Sequence, residues 1–143
     1  MSRFDKLIGL IEPLNSDTYG EIIIDREHKG TLDDPIHFPF PVYTETINKL
    51  IDAVYEVERE YPEYGLNRYG EILNKHGIEW GDRSMKDADV TEMDIQGVLA
   101  LLMGMVRSER FCDGSILDFM ESGVVFKWLE RIKEIETESE ERL

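Results

Sequence analysis

Thr91-Glu92-Met93-Asp94-Ile95-Gln96-Gly97-Val98-Leu99-Ala100-Leu101-Leu102-Met103-Gly104-Met105-Val106-Arg107-Ser108-Glu109-Arg110-Phe111 is the stretch that decides the fold. From Val98 to Val106 no residue is strongly polar. A helix that is apolar on every side has to be enclosed by protein. Nine residues fall well short of the roughly twenty that a bilayer span needs. Thr91 with Asp94 three residues later has the spacing of a helix cap, so a buried central helix is predicted over about 91–111. Gly97, Ala100, Gly104 and Ser108 recur at spacings of three and four and form one narrow face. Close approach by a neighbouring helix explains glycines that otherwise cost about 1 kcal/mol each in a helix interior.

Working towards the C-terminus, Asp113-Gly114-Ser115 ends this element and opens a short helix through Phe119. A last helix is predicted over about Val124 to Ile135, with Val125, Trp128, Leu129 and Ile132 inward. Beyond Glu136 only Leu143 is apolar, so residues 137–143 read as a frayed acidic tail on a single domain spanning 1–136. Towards the N-terminus, Gly81-Asp82-Arg83-Ser84 reads as a turn, and Ile78 and Trp80 are expected to return to the core. Asn67 caps a short helix that Gly77 closes. A long amphipathic helix runs from Thr44 to about Arg59 with the stripe Ile47, Leu50, Ile51, Val54 and Val57.

The first forty residues read differently. Phe4, Leu7, Ile8, Ile11 and Leu14 predict one helix, capped by Ser2 and ended by Pro13 near Glu12. Asn15-Ser16-Asp17 then makes a turn. Ile22-Ile23-Ile24 favours extended backbone, and Pro35, Pro39 and Pro41 forbid helix, so a small β-hairpin is allowed for near 19–40. Residues 26–43 serve either as a binding loop or as an ordered cover over a helix. The expected fold class is therefore mainly α, a compact bundle of about five helices around the 91–111 helix.

Composition narrows function more than it assigns one. The 143 residues carry 31 acids against 16 bases, a formal charge of −15, so no basic tract exists to hold phosphates and direct nucleic-acid binding is not expected. The acids are spread evenly: residues 1–40, 41–80 and 81–120 each hold eight acidic and four basic side chains. An acidic protein can imitate nucleic acid in the basic groove of a host protein, although even spacing also describes a merely solvated surface. One cysteine, Cys112, offers no disulfide framework. No apolar signal segment follows Met1, and cytoplasmic residence without membrane contact is the expectation. His28, His37 and His76 have no ligand spacing, so neither a metal nor another cofactor is expected.

Two clusters could carry chemistry. Asp25-Arg26-Glu27-His28-Lys29 brings His28 beside Glu27, an acid–base pair if it lines a cleft and a solvated turn otherwise. Arg107-Ser108-Glu109-Arg110-Phe111-Cys112-Asp113-Gly114 closes the buried helix. Arg107 and Arg110 share one helical face and Glu109 and Asp113 another. Charges beside an enclosed helix should be paired, so the arginines are expected to be less exposed than others in the chain. The cluster forms either an ion network or the floor of an anion-recognising cleft.

Tyr19-Gly20-Glu21, Asp25-Arg26-Glu27-His28-Lys29-Gly30, Arg68-Tyr69-Gly70-Glu71-Ile72-Leu73, Gly77-Ile78-Glu79-Trp80-Gly81 and the 107–114 segment together carry a resemblance. The chain resembles a family of small bacterial and phage-borne proteins classed as a domain of unknown function. The likeness reaches from the first helix to Trp128-Leu129-Glu130-Arg131 and carries over no catalytic residue. A phage or mobile-element setting would favour a protein that regulates a host factor. Three functions stay open: a protein-binding or regulatory module, a small enzyme acting on an anionic or polar metabolite, and a nucleic-acid-mimicking inhibitor. An enzyme should gather Arg107, Arg110 and His28 in a cleft, whereas a binding module should show an exposed apolar patch rimmed by acids. Oligomeric state is not legible.

Overall fold

In a computed structural model, which describes residues 3–16, 19–23 and 40–141, the chain is mainly helical. The elements are α1 (Asp5–Ile8), α2 (Ile11–Ser16), β1 (Gly20–Ile23), β2 (Phe40–Tyr43), α3 (Glu45–Glu60), α4 (Tyr69–Lys75), α5 (Asp82–Asp87), α6 (Ile95–Ser108), α7 (Ser115–Ser122) and α8 (Val124–Glu141). Two single 3-10 turns, Pro62–Tyr64 and Leu66–Arg68, link α3 to α4. Segment 24–39, with His28, Pro35, Ile36 and Phe38, lies outside the described residues.

The enclosed helix is α6. Every residue from Gly97 to Val106 is buried, and α3, α4, α7 and α8 pack around it. Of these, α3 and α8 each turn one apolar face inward. In α3 that face is Ile47, Leu50, Ala53, Val54 and Val57; in α8 it is Val125, Trp128, Leu129 and Ile132. Thr44 caps α3 by accepting from the Ile47 N–H at 3.5 Å. After α4 the Ile78 N–H donates to Leu73 O and the Gly77 N–H to Asn74 O, the paired bonds of a Schellman stop. The hairpin pairs β1 with β2 antiparallel, Gly20 opposite Tyr43 and Ile22 opposite Pro41. Proline is tolerated there because a two-stranded ribbon consists only of edges.

Several boundaries differ from the predicted ones. The first helix is two helices, broken at Gly9 and Leu10, and Pro13 sits in the first turn of α2. Amides of a first turn have no intrahelical acceptor, so proline's missing N–H costs nothing there. Asn15 and Ser16 belong to α2 rather than to a turn, and the Asn15 side chain donates to Ile11 O at 3.1 Å. Phe4 occupies the N-cap of α1 with no side-chain cap, and Ser2 lies outside the described residues. Asn67 falls in a 3-10 turn, leaving Arg68 at the N-cap of α4.

The central helix covers 95–108 rather than 91–111. Asp94 is its N-cap, accepting from the Gly97 N–H at 2.9 Å and facing His76 Nε2 at 3.1 Å. Thr91 donates its N–H and hydroxyl to Asp89 instead, in a turn one step upstream. At the other end α8 continues to Glu141, so residues 137–141 are helical rather than frayed. Within that stretch the Thr137 hydroxyl donates to Lys133 O at 2.8 Å.

Candidate functional site

Where α6 ends, the chain makes a groove of about 450 Å3. One wall is Trp80-Gly81-Asp82, leading into α5; the other is Phe111 to Ser115, leading into α7. Its floor holds a hydroxyl pair, Ser108 and Ser115, 2.6 Å apart. Ser108 also lies 2.5 Å from Met105 O, the acceptor of its hydroxyl proton.

The aromatic wall departs from expectation. Ile78 returns to the core, but Trp80 stays 39% exposed on the surface. Its indole N–H donates to the carbonyl of Gly104 at 3.0 Å. A Cβ at position 104 would lie 3.2 Å from Trp80 Cδ1 and 3.0 Å from Met85 Cε. The small face of α6 therefore admits the Trp80 ring and the Met85 methyl at this level. Phe111 meets Trp80 edge to face, centroids 5.4 Å apart, and is 75% exposed. Tyr69 also packs against the indole, centroids 5.8 Å apart. Tyr69, Trp80 and Phe111 thus form an aromatic row in which two large apolar rings reach solvent.

The Phe111 loop is held by Glu109. Its carboxylate accepts the Gly114 N–H at 2.7 Å, the Ile116 N–H at 2.9 Å and the Tyr43 hydroxyl at 2.6 Å. Gly114 takes φ 89°, a left-handed conformation that L side chains rarely adopt, and this turns its N–H onto the carboxylate. An anion at a helix N-terminus is favourable because unpartnered amides converge there. Here the helix is α7 and the anion belongs to the chain itself. Tyr43 arrives from β2. Burial, and after it the neighbouring Glu109 carboxylate, hold its phenol well above its usual value of 10.

The rest of the predicted cluster is dispersed. Arg107 reaches α3, lying over the Tyr55 ring at 5.4 Å and 3.8 Å from Glu58. Its Nε is buried without a hydrogen-bond partner among the described residues. Arg107 thus joins an acid from another segment, but Arg131, with 12% of its side chain exposed against 24%, is more enclosed. Arg110 is exposed and makes no ion pair among the described residues. The expectation for it fails because α6 stops at Ser108, so Arg110 sits in the following turn, beyond the enclosed part. Glu109 bonds amides and a phenol rather than an arginine, and Asp113 is exposed on the groove wall. Glu27 and His28 lie outside the described residues. Arg110→Met is accordingly expected to change stability by less than about 0.5 kcal/mol in denaturant melts, as for other exposed surface positions.

Trp80 and Tyr43 are the site residues that sequence reading missed. Trp80 was legible only as an apolar residue, and its outward placement depends on Gly104, twenty-four positions away. Among the described residues no histidine lines the groove, no group of three or more metal-capable side chains occurs, and no helix is long and apolar enough to cross a membrane.

Residues 2–138 match the model of a family described as a family of unknown function (DUF6508), and the chain belongs to that family. No curated protein and no solved structure matches it.

Proposed function

We propose that this protein is a cytoplasmic binding or regulatory module that docks a protein partner on the Trp80–Phe111 face. One observation carries the reading: two large apolar rings stand exposed side by side in a groove lined by Asp82, Asp113 and Asp118. Single exposed hydrophobics are ordinary, whereas a contiguous aromatic patch with a polar rim is how interfaces are built. Charge defines the partner. The groove wall carries three aspartates and neither lysine nor arginine, on a chain of net charge −15, so the complementary surface is basic. A host regulator targeted by a phage or mobile element fits that description.

The reading is tested by placing a photocrosslinking phenylalanine analogue at position 111 and, as a control, at exposed position 67. A partner trapped at 111 alone is then purified and titrated. It should bind wild type and lose at least about tenfold affinity for Phe111→Ser, the size of effect expected for a central aromatic contact. Equal affinity for the two proteins would remove Phe111 from the interface and the proposal with it.

A further inference from the structure

The aromatic rings of this chain are repeatedly joined to a cation and a carboxylate. Lys86 lies over the Phe119 ring at 5.3 Å and bridges Asp82, at 2.8 Å, and Asp118. Arg107 lies over Tyr55 beside Glu58. Arg3 caps a bowl of Phe4, Tyr61 and Tyr64, at 5.2, 5.9 and 5.9 Å, and reaches Glu136 at 3.8 Å. In each, a ring face supplies electrostatic attraction to the cation and a carboxylate neutralises its charge.

Trp80 and Phe111 present the same parts. They line one groove with Asp113, which makes no ion pair among the described residues, and no described lysine or arginine lies over either ring. Tryptophan offers the strongest ring face for a cation. Asp82 and Asp118 already share the Lys86 ammonium, so three carboxylates meet one resident cation and the groove keeps excess negative charge. The Lys86 ammonium is thus engaged within the chain, and the exposed parts of Trp80 and Phe111 share the groove with the Asp113 carboxylate. That arrangement suits a planar guanidinium, which stacks on an indole while its fork reaches a carboxylate, and which sheds water more readily than an ammonium.

We infer that the anchor recognised in the Trp80–Phe111 groove is an arginine side chain of the partner, stacked on Trp80 and paired with Asp113. The inference rests on the docking face proposed above and names the chemistry that face takes.

The test uses the full chain and three capped tripeptides that differ at the central position: arginine, lysine and citrulline, the last a neutral near-isostere of arginine. The indole N–H resonances of Trp80 and Trp128 are followed during titration; Trp128 is buried and serves as the internal control. The arginine peptide should shift the Trp80 resonance alone and saturably, with lysine about tenfold weaker and citrulline without effect. Asp113→Asn should weaken the arginine peptide about tenfold, and added salt should weaken it in wild type. Citrulline acting as well as arginine, or Asp113→Asn leaving the affinity unchanged, overturns the inference. If no peptide moves Trp80 while the crosslinked partner still requires Phe111, the arginine anchor falls and the docking face stands. If Phe111 is dispensable as well, both fall.

Discussion

Glu109→Ala is expected to lower stability by about 3 kcal/mol, because one carboxylate serves three donors and hydrogen bonds to a charged group contribute roughly 1.5–3 kcal/mol net each, less where water can reach the freed donors. The alanine leaves the Gly114 and Ile116 amides and the Tyr43 hydroxyl without their acceptor, all at part-buried positions. Glu109→Gln should cost less than half as much. Its amide oxygen can still accept from Tyr43 and Ile116, and only the Gly114 N–H then meets an NH2 group. Urea melts of the three proteins give the comparison, and a loss below about 0.5 kcal/mol for alanine would mean that water replaces the carboxylate.

Burial of Tyr43, and after it this contact, makes stability depend on alkaline pH. The folded state holds the Tyr43 proton more tightly than the unfolded chain does, so the contribution is complete below pH 10 and is lost as pH rises beyond it. Burial raises Tyr64 in the same direction. Wild-type melts should therefore fall above about pH 10, and Tyr43→Phe should flatten part of that fall while Tyr64, Lys6 and Lys86, all raised in the folded state, preserve the rest.

Gly104→Leu is expected to cost more than about 2 kcal/mol through overpacking. Its Cβ alone would touch Met85 Cε at 3.0 Å and Trp80 Cδ1 at 3.2 Å, and the branched end has to displace the indole. That displacement also breaks the Trp80 N–H bond to the residue 104 carbonyl. Gly104→Ala should stay within about 1 kcal/mol of wild type, because better helix propensity offsets a small shift of the flexible methionine methyl. Denaturant melts and Trp80 emission report the two consequences separately. A leucine variant within about 0.5 kcal/mol of wild type, with unchanged emission, would show that this face has room to spare.

These cases indicate what a sequence can and cannot disclose. The all-apolar turns of α6, the Thr44 cap and the inward residues of α8 were legible because each depends on neighbours within a few positions. Choosing between Thr91 and Asp94 as the cap was not, since both have suitable side chains three residues apart. Asp89 holds Thr91 upstream, and His76 joins Asp94 from a different helix. The candidate site was half legible. The segment 107–113 does border the groove, but its arginines were expected to act together on one helical face. The helix ends between them, so Arg107 turns to Glu58 and Arg110 to solvent. Trp80 looked like core because hydrophobicity alone says nothing about which side of α6 leaves space for an indole.

Enclosure of α6 has a bearing on how the molecule breathes. Amides that are buried on every side exchange with solvent only when most of the structure opens, so α6 should contain the slowest-exchanging protons of the chain. Trp80 is tethered to that helix through Gly104, whereas Phe111 follows its last turn on a loop held by the Glu109 carboxylate, by turn hydrogen bonds and by the Ser108–Ser115 hydroxyl pair. A partner that clamps the groove should therefore slow exchange around residues 110–116, and should slow the protons of α6 as well, because the global opening that frees them also dismantles the groove.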